Sequence, residues 1–382
     1  MTVMPKVSLI LPCLNEALTI GDCIQRAKEA FQANKIEGEI IVVDGCSTDG
    51  SDKIAEKLGA RVIRDKHRGY GLAHKIGVEA AKGQWIVKAD SDGTYDLADL
   101  PKFVEALASG YEYVVGNRFK GGIALGAMPF LHQFIGNPLL TFMQNTMFKT
   151  SLGDAHCGFR AFTRKAFNRM NLKARGWEFA TEMGIKAAKL GLKTCEIPVH
   201  YLPRKVPSKL STFGAGWRNI RFLLLFSPDY LFVLPGTLLA VAGLVFVAFG
   251  VNSLGLSVFW SADPLFQVLQ LMFGGFLFLL GFQIISFGIS AKSYAVVEGY
   301  EQKDALYAFV NKFFNLEKTA FLGFLLLLVS LSFGFWKLVD WLQYGIISVN
   351  ELKSAVVLSI AAILGVQVVF NAFFLSIVGI KK

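Results

Sequence analysis

E-I-I-V-V-D-G-C-S-T-D-G, residues Glu39–Gly50, is the stretch of sequence that decides the fold. Its run I-I-V-V is apolar without interruption and rich in β-branched residues, which is typical of a strand buried on both faces of a sheet. Gly45 and the small polar residues that follow Asp44 predict a turn that leads into a helix. A buried strand followed directly by a helix is the repeating unit of an α/β domain.

The alternation of strand and helix continues on both sides of this stretch. Apolar runs predict strands at Val7–Leu11, Glu39–Asp44, Arg61–Arg64, Gln84–Ala89 and Tyr111–Val115. Helical spacing of apolar residues predicts helices at Glu16–Ala33, Asp49–Leu58, Leu72–Ala81 and Leu97–Leu107. This order predicts an α/β domain built on a mostly parallel sheet. Ligands of such sheets bind beyond the carboxyl ends of the strands, so polar residues at strand ends are candidate functional residues.

Charged residues are distributed unevenly along the chain. It has 382 residues, of which 53% are hydrophobic and 18% charged, against about 25% charged in an ordinary soluble domain. Residues 1–220 carry 51 of the 68 Lys, Arg, Asp and Glu side chains and a net charge of +9, whereas residues 221–382 have a net charge of +1. The composition therefore predicts a basic soluble domain at 1–220 followed by a membrane domain at 221–382, and it excludes a disordered or collagen-like chain.

Four uncharged stretches of the second domain are long enough to cross a bilayer, which takes about 20 helical residues. They are Tyr230–Ala262, Pro264–Ala291, Thr319–Trp336 and Ser354–Ile380. Lysines are concentrated in the middle loop, 292–318, and in the last two residues, so the positive-inside rule places residues 1–220 in the cytoplasm. None of the four stretches contains an ionisable residue, which favours an anchor over a transporter.

The cysteines indicate the compartment of the first domain. All five lie within residues 1–220, and none forms a C-x-x-C pair. We therefore expect free thiols in a reducing compartment rather than disulfides or a zinc site.

The segment A-D-S-D-G, Ala89–Gly93, places two carboxylates two residues apart at the end of a predicted strand. In an extended stretch residues i and i+2 point the same way, so Asp90 and Asp92 can reach one hard cation, Mg²⁺ or Mn²⁺. Such an ion would neutralise a diphosphate leaving group. A turn or a helix cap is the alternative interpretation of a D-x-D sequence.

Polar residues also follow the first, second and fifth strands. Asp44 is suited to hydrogen bonding a nucleotide base or ribose, and capping of the next helix is its alternative role. Asn15 and Glu16 have two equally weighted interpretations, contact with a nucleotide and the start of a helix. Asn117 and Arg118 follow the fifth strand. The sequence contains neither G-x-x-x-x-G-K-[ST] nor a G-x-G-x-x-G after the first strand, which argues against P-loop and dinucleotide chemistry.

Several motifs occur in order on these elements. They are P-C-L-N-E (Pro12–Glu16), V-V-D-G-C-S-T-D-G (Val42–Gly50), D-S-D (Asp90–Asp92), V-G-N-R-F (Val115–Phe119), G-D-A-H-C-G-F-R-A-F (Gly153–Phe162) and W-E-F-A-T-E-M (Trp177–Met183). Over about residues 6–228 the chain resembles family 2 glycosyltransferases of the GT-A fold, in the branch of the dolichyl-phosphate mannose synthases and polyprenyl-phosphate glucosyltransferases. The membrane region resembles the four-helix anchors of some members in helix count alone.

The resemblance implies roles for individual residues. The residues it implies in nucleotide-sugar binding are Pro12, Leu14, Asn15, Glu16, Val42, Asp44, Asp90, Ser91 and Asp92. Among them Asp90 and Asp92 would hold the metal, Asp92 most directly, and Arg118 would bind phosphate. Thr94 stands where some relatives have a metal-binding Gln. Mannose synthases tend to have Arg and Ser where His132 and Gly136 align, so a strict mannose-synthase assignment does not follow.

Two features indicate an acceptor held in a membrane. Phe130–Phe148 is more apolar than one buried helix face requires, and an interfacial helix and core packing are equally weighted interpretations. A basic cluster precedes the first span and consists of Arg204, Lys205, Lys209, Arg218 and Arg221. Such a cluster attracts anionic lipid, and it would also hold a lipid-linked phosphate, for which Arg118, Arg204 and Lys209 are the candidates.

A lipid phosphate simplifies the chemistry expected of the enzyme. A phosphate monoester has a second pKa of about 6, so it is mostly dianionic at neutral pH and needs no strong general base. The protein must position it against the sugar C1 and stabilise the departing diphosphate, and direct displacement inverts the anomeric centre. Asp154 is the carboxylate expected near C1, as an orienting group or an optional base, and a turn residue is its alternative. His156 is expected in the core, and Glu182 is expected to bond the neighbouring chain or the sugar.

We therefore predict a membrane-anchored inverting hexosyltransferase with Asp92, Asp154 and Arg118 as its catalytic residues. It would use GDP-mannose or UDP-glucose as the type of donor, Mg²⁺ or Mn²⁺ as cofactor, and dolichyl or undecaprenyl phosphate as acceptor. The expected location is the cytoplasmic face of a bacterial or archaeal plasma membrane, with no nucleic-acid partner and with self-association left open. The rival functions are a processive polysaccharide synthase, which needs a Q-x-x-R-W motif absent from this sequence, and a non-catalytic membrane scaffold.

Overall fold

The chain forms two compact units, Met1–Leu223 and Leu224–Lys382. A computed structural model describes residues 6–67, 69–205, 212–251, 263–297, 303–313, 315–345 and 348–379. Lys209 of the predicted basic cluster and the lysines of the last two positions lie outside these residues.

The first unit alternates strands and helices. Its strands are β1 (Val7–Cys13), β2 (Gly38–Asp44), β3 (Arg61–Arg64), β4 (Trp85–Lys88), β5 (Tyr113–Asn117), β6 (Arg160–Thr163) and β7 (Thr194–Pro198). Its helices are α1 (Ile20–Ala33), α2 (Ser51–Lys57), α3 (Tyr70–Ala80), α4 (Leu100–Ala108), the single turn α5 (Arg118–Gly121), α6 (Asn137–Phe148), α7 (Arg164–Met170) and α8 (Phe179–Lys189). Helix α9 (Thr212–Leu225) crosses the boundary to the second unit. The predicted α/β class is confirmed.

The seven strands form one sheet in the order β3-β2-β1-β4-β6-β5-β7. All neighbouring pairs are parallel except those of β6, which runs antiparallel to β4 and β5. Arg160, the first residue of β6, pairs with Lys88 on one side and with Val115 on the other. The reversed direction of β6 therefore brings the loop that precedes it, residues 153–159, to the carboxyl ends of β4 and β5.

The central strands are buried on both faces, as their sequence predicts. In β1 the residues Val7, Leu9, Ile10 and Leu11 are fully buried, and the apolar face of α1 packs on the sheet. Helix α1 begins at Ile20, four residues after the predicted start at Glu16. The segment before it is instead tied to the start of α2, because the Glu16 amide donates a hydrogen bond to the Ser51 hydroxyl at 2.9 Å.

The described part of the second unit is helical. Its long helices are α10 (Leu234–Gly250), α11 (Pro264–Val297), α13 (Leu316–Tyr344) and α14 (Val349–Gly379), with the short helix α12 (Ala305–Phe313) before α13. A π-helical turn, Asp229–Val233, leads into α10. Four segments are long and apolar enough to cross a membrane: Asp229–Gly250, Pro264–Val297, Leu316–Tyr344 and Val349–Val378.

Helices α10 and α11 pack backbone against backbone through glycines. In α10 the glycines recur every seven residues at 236, 243 and 250, and in α11 they recur at 274, 281 and 288. A Cβ placed on Gly243 would lie 2.4 Å from the Phe278 amide nitrogen, and one on Gly281 would lie 2.4 Å from the Ala240 nitrogen. A seven-residue repeat keeps one stripe of each helix on its partner, and glycine permits the close approach of the two backbones.

Helix α11 extends six residues beyond the predicted span end at Ala291 and includes Lys292. The Lys292 side chain is only 2% exposed, and its ammonium group lies 2.6 Å from Asp229 and also pairs with Asp304. This ion cluster joins three segments of the second unit, and both carboxylates neutralise the buried lysine.

Candidate active site

A cavity of about 800 Å³ lies in the first unit, beyond the carboxyl ends of the parallel strands. Its wall includes Pro12 near the end of β1, Leu14 directly after β1, Asp44 at the end of β2 and Asp90 after β4. Arg118 after β5 completes this set of strand ends. The cavity is therefore where the strand pattern predicted a ligand site.

The loops after β1 and β2 fasten each other by hydrogen bonds. Asp44 is buried, and its two carboxylate oxygens accept from the Ser47 amide at 2.9 Å and from the Ser47 hydroxyl at 2.5 Å. The Asn15 side-chain oxygen accepts from the Thr48 amide at 2.8 Å, and Asn15 itself has a positive φ of 53°. Asn15 is exposed, holds the loop after β2 and does not line the cavity.

Two predicted donor-site residues are not part of this wall. Val42 is fully buried in the core of the sheet, and its neighbour Val43 lines the cavity instead. Asn15 is the second such residue, because its side chain is bonded to the β2 loop. The predicted residues Pro12, Leu14, Glu16 and Ser91 do line the cavity.

The D-S-D segment forms a tight loop that begins directly after β4. Ser91 is bonded to the β1 end, because its hydroxyl donates to the Pro12 carbonyl at 2.5 Å. Asp92 accepts from the Thr94 hydroxyl at 2.6 Å and from the Thr94 amide at 3.1 Å. Thr94 therefore orients Asp92.

Asp90 is surrounded by groups that the sequence analysis did not single out. Its Oδ1 accepts from the Tyr70 hydroxyl at 2.8 Å, and Tyr70 in turn lies 3.1 Å from the Lys88 ammonium group. Burial, followed by the negative charge of Asp92, raises the pKa of Asp90 above its ordinary value. Burial lowers the pKa of Lys88 to about 7.

A cation faces the second acid of the pair. One Arg204 nitrogen, Nη2, lies 3.2 Å from Asp92 Oδ2 and 3.8 Å from Glu16 Oε1. The Arg204 side chain is 27% exposed and lines the cavity. The acids at the ends of β1 and β4 are thus bridged by an arginine of the segment that follows β7.

Arg118 and Asp154 form a buried ion pair. The Arg118 Nε donates to Asp154 Oδ2 at 2.6 Å and its Nη2 donates to Oδ1 at 2.8 Å, while the Arg118 amide also donates to Oδ2. Burial by itself raises the pKa of Asp154, but the Arg118 charge and its hydrogen bonds outweigh that effect and lower the pKa below its usual value. The other side of Arg118 lies over the Tyr201 ring, 5.1 Å from its centroid.

The last two residues singled out in the sequence are the half-buried His156 and the buried Glu182. His156 lines the cavity, and burial lowers the pKa of its imidazole to about 4, so the ring is neutral. Glu182 is fully buried and accepts from the Lys173 and Ala174 amides, with Lys186 at 3.0 Å. Glu182 therefore binds the neighbouring backbone segment at residues 173–174, as one of its two predicted roles required.

The donor set at the D-S-D loop fits a divalent cation. Asp90 and Asp92 could supply two oxygen ligands, and burial together with the negative charge of Asp92 raises the pKa of Asp90. A bound cation would compensate that negative charge. Among the residues that the structure describes, no group of three or more His, Cys, Asp or Glu side chains is arranged to hold a metal. Two carboxylates completed by ligand phosphates are a usual environment for Mg²⁺.

A mostly parallel sheet with an acidic pair and arginines at its ligand edge, followed by membrane-spanning helices, defines a membrane-bound transferase of the GT-A fold. The family model "Glycosyl transferase family 2" matches residues 8–170, and the model "Glycosyltransferase family 2 C-terminal transmembrane region" matches residues 289–379. The chain belongs to glycosyltransferase family 2 and is an integral membrane glycosyltransferase. The predictions of the family, the fold class and an enzyme are confirmed.

Curated relatives of the chain include two archaeal hexosyltransferases. The low-salt glycan biosynthesis hexosyltransferase Agl6 of Haloferax volcanii is 36% identical over 99% of this chain and 90% of that protein. A dolichyl-phosphate hexose transferase of the same organism is 29% identical over 55% of this chain and 89% of that protein. Among solved structures, glucosyl-3-phosphoglycerate synthase from Mycobacterium tuberculosis is 24% identical with a TM-score of 0.45, over 58% of this chain and 79% of that one.

Proposed function

We propose that this protein transfers a single hexose from a nucleotide sugar to a polyprenyl phosphate, with inversion, at the cytoplasmic face of a prokaryotic membrane. The donor is of the GDP-mannose or UDP-glucose type, and the acceptor is dolichyl or undecaprenyl phosphate. One observation carries the proposal: a single cavity holds both the acidic pair Asp90 and Asp92 and the arginines Arg118, Arg204 and Arg218. Acids suit a metal-bound diphosphate, and guanidinium groups suit a phosphate acceptor.

The donor half of the cavity is formed by the ends of β1, β2 and β4. Asp44 is suited to the nucleotide, and its carboxylate is held in place by Ser47. Asp90 and Asp92 would hold Mg²⁺ or Mn²⁺, which, when bound, stabilises the negative charge of the departing nucleoside diphosphate. Thr94 and Tyr70 fix the directions of these two carboxylates.

The acceptor half contains the guanidinium groups. Arg204 is the better placed candidate for the lipid phosphate, because it is partly exposed and is bound to acids at the donor edge through one nitrogen. Arg118 lines the cavity, but its Nε and Nη2 are occupied by Asp154. We assign Arg118 a fixed positive charge near the phosphate, and Lys209 stays a prediction.

An exposed apolar surface supports an acceptor that lies in a membrane. Large apolar residues are exposed just before the π-helical turn Leu131–Gly136, on that turn and on the neighbouring helix α6: Phe130, Leu131, Phe134, Ile135, Leu139 and Phe142. The same segment lines the cavity through Met128, Pro129 and His132. Exposure of this size favours the interfacial interpretation over core packing. The dolichyl-phosphate hexose transferase among the relatives agrees with a lipid phosphate acceptor.

The bond change needs little proton transfer from the protein. One oxygen of the dianionic phosphate attacks the sugar C1 while the bond from C1 to the nucleoside diphosphate breaks, so the configuration at C1 inverts. Asp154 is ionised and bonded to Arg118, which suits an orienting group rather than a base. The residues therefore act by placing the two phosphates on opposite sides of C1.

Transfer by the full-length protein in detergent or liposomes tests this function. Radiolabelled GDP- and UDP-sugars are offered with undecaprenyl or dolichyl phosphate, with and without Mn²⁺. We expect a singly glycosylated lipid phosphate that depends on Mn²⁺ and is lost in Asp92→Asn. A repeating polysaccharide product, or full activity in a folded Asp92→Asn protein, would overturn the proposal.

A further inference from the structure

Three polar groups form a hydrogen-bonded chain behind the D-S-D loop. The Lys88 ammonium group donates to the Gly158 carbonyl at 2.9 Å and lies 3.1 Å from the Tyr70 hydroxyl. The Tyr70 hydroxyl donates to Asp90 Oδ1 at 2.8 Å. Lys88 is fully buried, so this chain reaches from the interior of the sheet to the cavity.

We propose that Tyr70 and Lys88 are positioning residues of the donor site, which fix the Asp90 carboxylate for the metal and the nucleotide diphosphate. This inference rests on the proposed function. It adds two residues that come from elements outside the family-like motifs, one at the start of α3 and one at the end of β4.

The direction of the hydrogen bonds supports this role. The Tyr70 hydroxyl has a single proton, and it donates that proton to Asp90 Oδ1 at 2.8 Å. Lys88 donates to a lone pair of the Tyr70 oxygen at 3.1 Å, and a donor at that position favours this orientation of the hydroxyl. Asp90 Oδ1 is thereby held on the Tyr70 side.

The other carboxylate oxygen is confined by Gly158. A Cβ added to Gly158 would lie 2.5 Å from Asp90 Oδ2, so that oxygen rests against the glycine backbone. Gly158 is itself held at both of its polar groups, by Lys88 at the carbonyl and by the Tyr95 hydroxyl at the amide, 2.7 Å away. One lysine therefore positions both neighbours of the Asp90 carboxylate.

The aromatic surroundings of Tyr70 connect this chain to the cavity wall. The Tyr70 ring stacks on Trp177, with 4.3 Å between ring centroids and 16° between planes, and both residues line the cavity. The backbone at the start of α3 is fastened to the Trp177 segment, because the Gly71 amide donates to the Gly176 carbonyl at 3.2 Å. The position of the Tyr70 hydroxyl is thus set by packing and does not depend on Asp90 alone.

Binding of nucleoside diphosphates to the full-length protein tests the inference. Calorimetric titration with UDP, GDP, CDP, ADP and dTDP in the presence of Mn²⁺ identifies the one that wild type binds. We expect Tyr70→Phe, which keeps the ring stack and removes one hydroxyl, to weaken that binding about tenfold, as expected for a hydrogen bond to a charged group. Lys88→Met should also weaken binding of that nucleoside diphosphate. The KM for the nucleotide sugar should rise while the KM for the lipid phosphate stays unchanged.

Two buried residues of the same types serve as controls. Tyr113→Phe removes a hydroxyl bonded to Arg160, and Lys186→Met removes an ammonium group bonded to Asn171 and Glu182. Both should lower thermal stability without changing Mn²⁺-dependent nucleotide affinity. If these controls lose as much nucleotide affinity as Tyr70→Phe and Lys88→Met, the losses reflect disturbed packing in general, and the inference is overturned.

The outcomes separate this inference from the proposed function. If wild type binds a nucleoside diphosphate and folded Tyr70→Phe binds it equally well, the inference fails and the function stands. If wild type binds none of the five with Mn²⁺, both fail. If Lys88→Met does not fold, Tyr70→Phe alone decides the result.

Discussion

Asp154 accepts two hydrogen bonds from the Arg118 guanidinium group, from Nε at 2.6 Å and from Nη2 at 2.8 Å, and both side chains are buried. The two residues are 36 positions apart, on the turn after β5 and on the loop before β6. The pair exists because β6 runs antiparallel and returns its preceding loop to the ligand edge. It places a fixed, compensated charge next to the cavity.

Removing one charge from this pair should destabilise the protein strongly. Asp154→Asn keeps the shape of the side chain but leaves the Arg118 charge buried and uncompensated, which costs about 3–5 kcal/mol in comparable pairs. Chemical unfolding in detergent measures the loss. Asp52→Asn is the matched control, because Asp52 pairs with Arg64 at 2.8 Å on the surface and should change stability little. Equal effects of the two substitutions would contradict a buried pair.

The same pair should make the free energy of unfolding depend on pH in the acid range. The pKa of Asp154 is lower in the folded protein than in the unfolded chain, so its contribution is present above about pH 4 and is lost as the pH falls through the folded pKa. Wild type should therefore lose stability more steeply than Asp154→Asn below about pH 4. Unfolding curves from pH 6 to pH 3 measure the difference, and parallel slopes for both proteins would refute it.

Gly158 should tolerate no side chain. An added Cβ would lie 2.5 Å from Asp90 Oδ2 and 3.2 Å from the Tyr95 hydroxyl, so Gly158→Ala must displace the Asp90 carboxylate. We expect weaker Mn²⁺-dependent nucleotide binding and a stability loss of about 1–3 kcal/mol from overpacking. Gly216→Ala is the control, since its Cβ would meet nothing within 4 Å. Wild-type nucleotide affinity in folded Gly158→Ala would show that Asp90 has room to move.

Two glycine-to-alanine substitutions in the second unit should change thermal stability in opposite directions. Alanine is a better helix former than glycine by about 1 kcal/mol, so Gly334→Ala, which has open space in α13, should be neutral or stabilising. Gly243→Ala instead places a Cβ 2.4 Å from the Phe278 nitrogen of the facing helix, and α10 and α11 must separate. Thermal unfolding in detergent should show a lower Tm for Gly243→Ala alone. Matching shifts in both variants would argue against close backbone packing.

The sequence predicted those parts of the fold that depend on burial. Strands β1, β2, β4 and β5 are recognisable because mostly apolar runs occur where both faces of a sheet are covered, and each of the five predicted strands overlaps an observed one. Strands β6, R-A-F-T, and β7, T-C-E-I-P, are short and carry polar residues, so their composition gives little signal. Strand direction depends on long-range pairing, which periodicity does not report.

The candidate site was predictable where a motif is local, and unpredictable where residues meet across the fold. Asp90 and Asp92 are two positions apart, and their place after an apolar run is visible in the sequence. The bonds of Lys88 to Gly158 and of Tyr70 to Asp90 join residues 70 and 20 positions apart. The one available signal was Lys88 itself, a charged residue within an otherwise apolar strand, which a buried sheet accommodates only with partners.

The acceptor phosphate is the central claim, and comparison of a polyprenyl phosphate with the matching polyprenol tests it most directly. The two lipids share the chain and differ only in the group that attacks C1. With the donor that wild type accepts and Mn²⁺ present, we predict a glycosylated product from the phosphate and none from the alcohol. Arg204→Gln should raise the KM for the phosphate more than the KM for the donor. Equal transfer to the alcohol would contradict the account, because a neutral hydroxyl needs a base that the Asp154 pair does not supply.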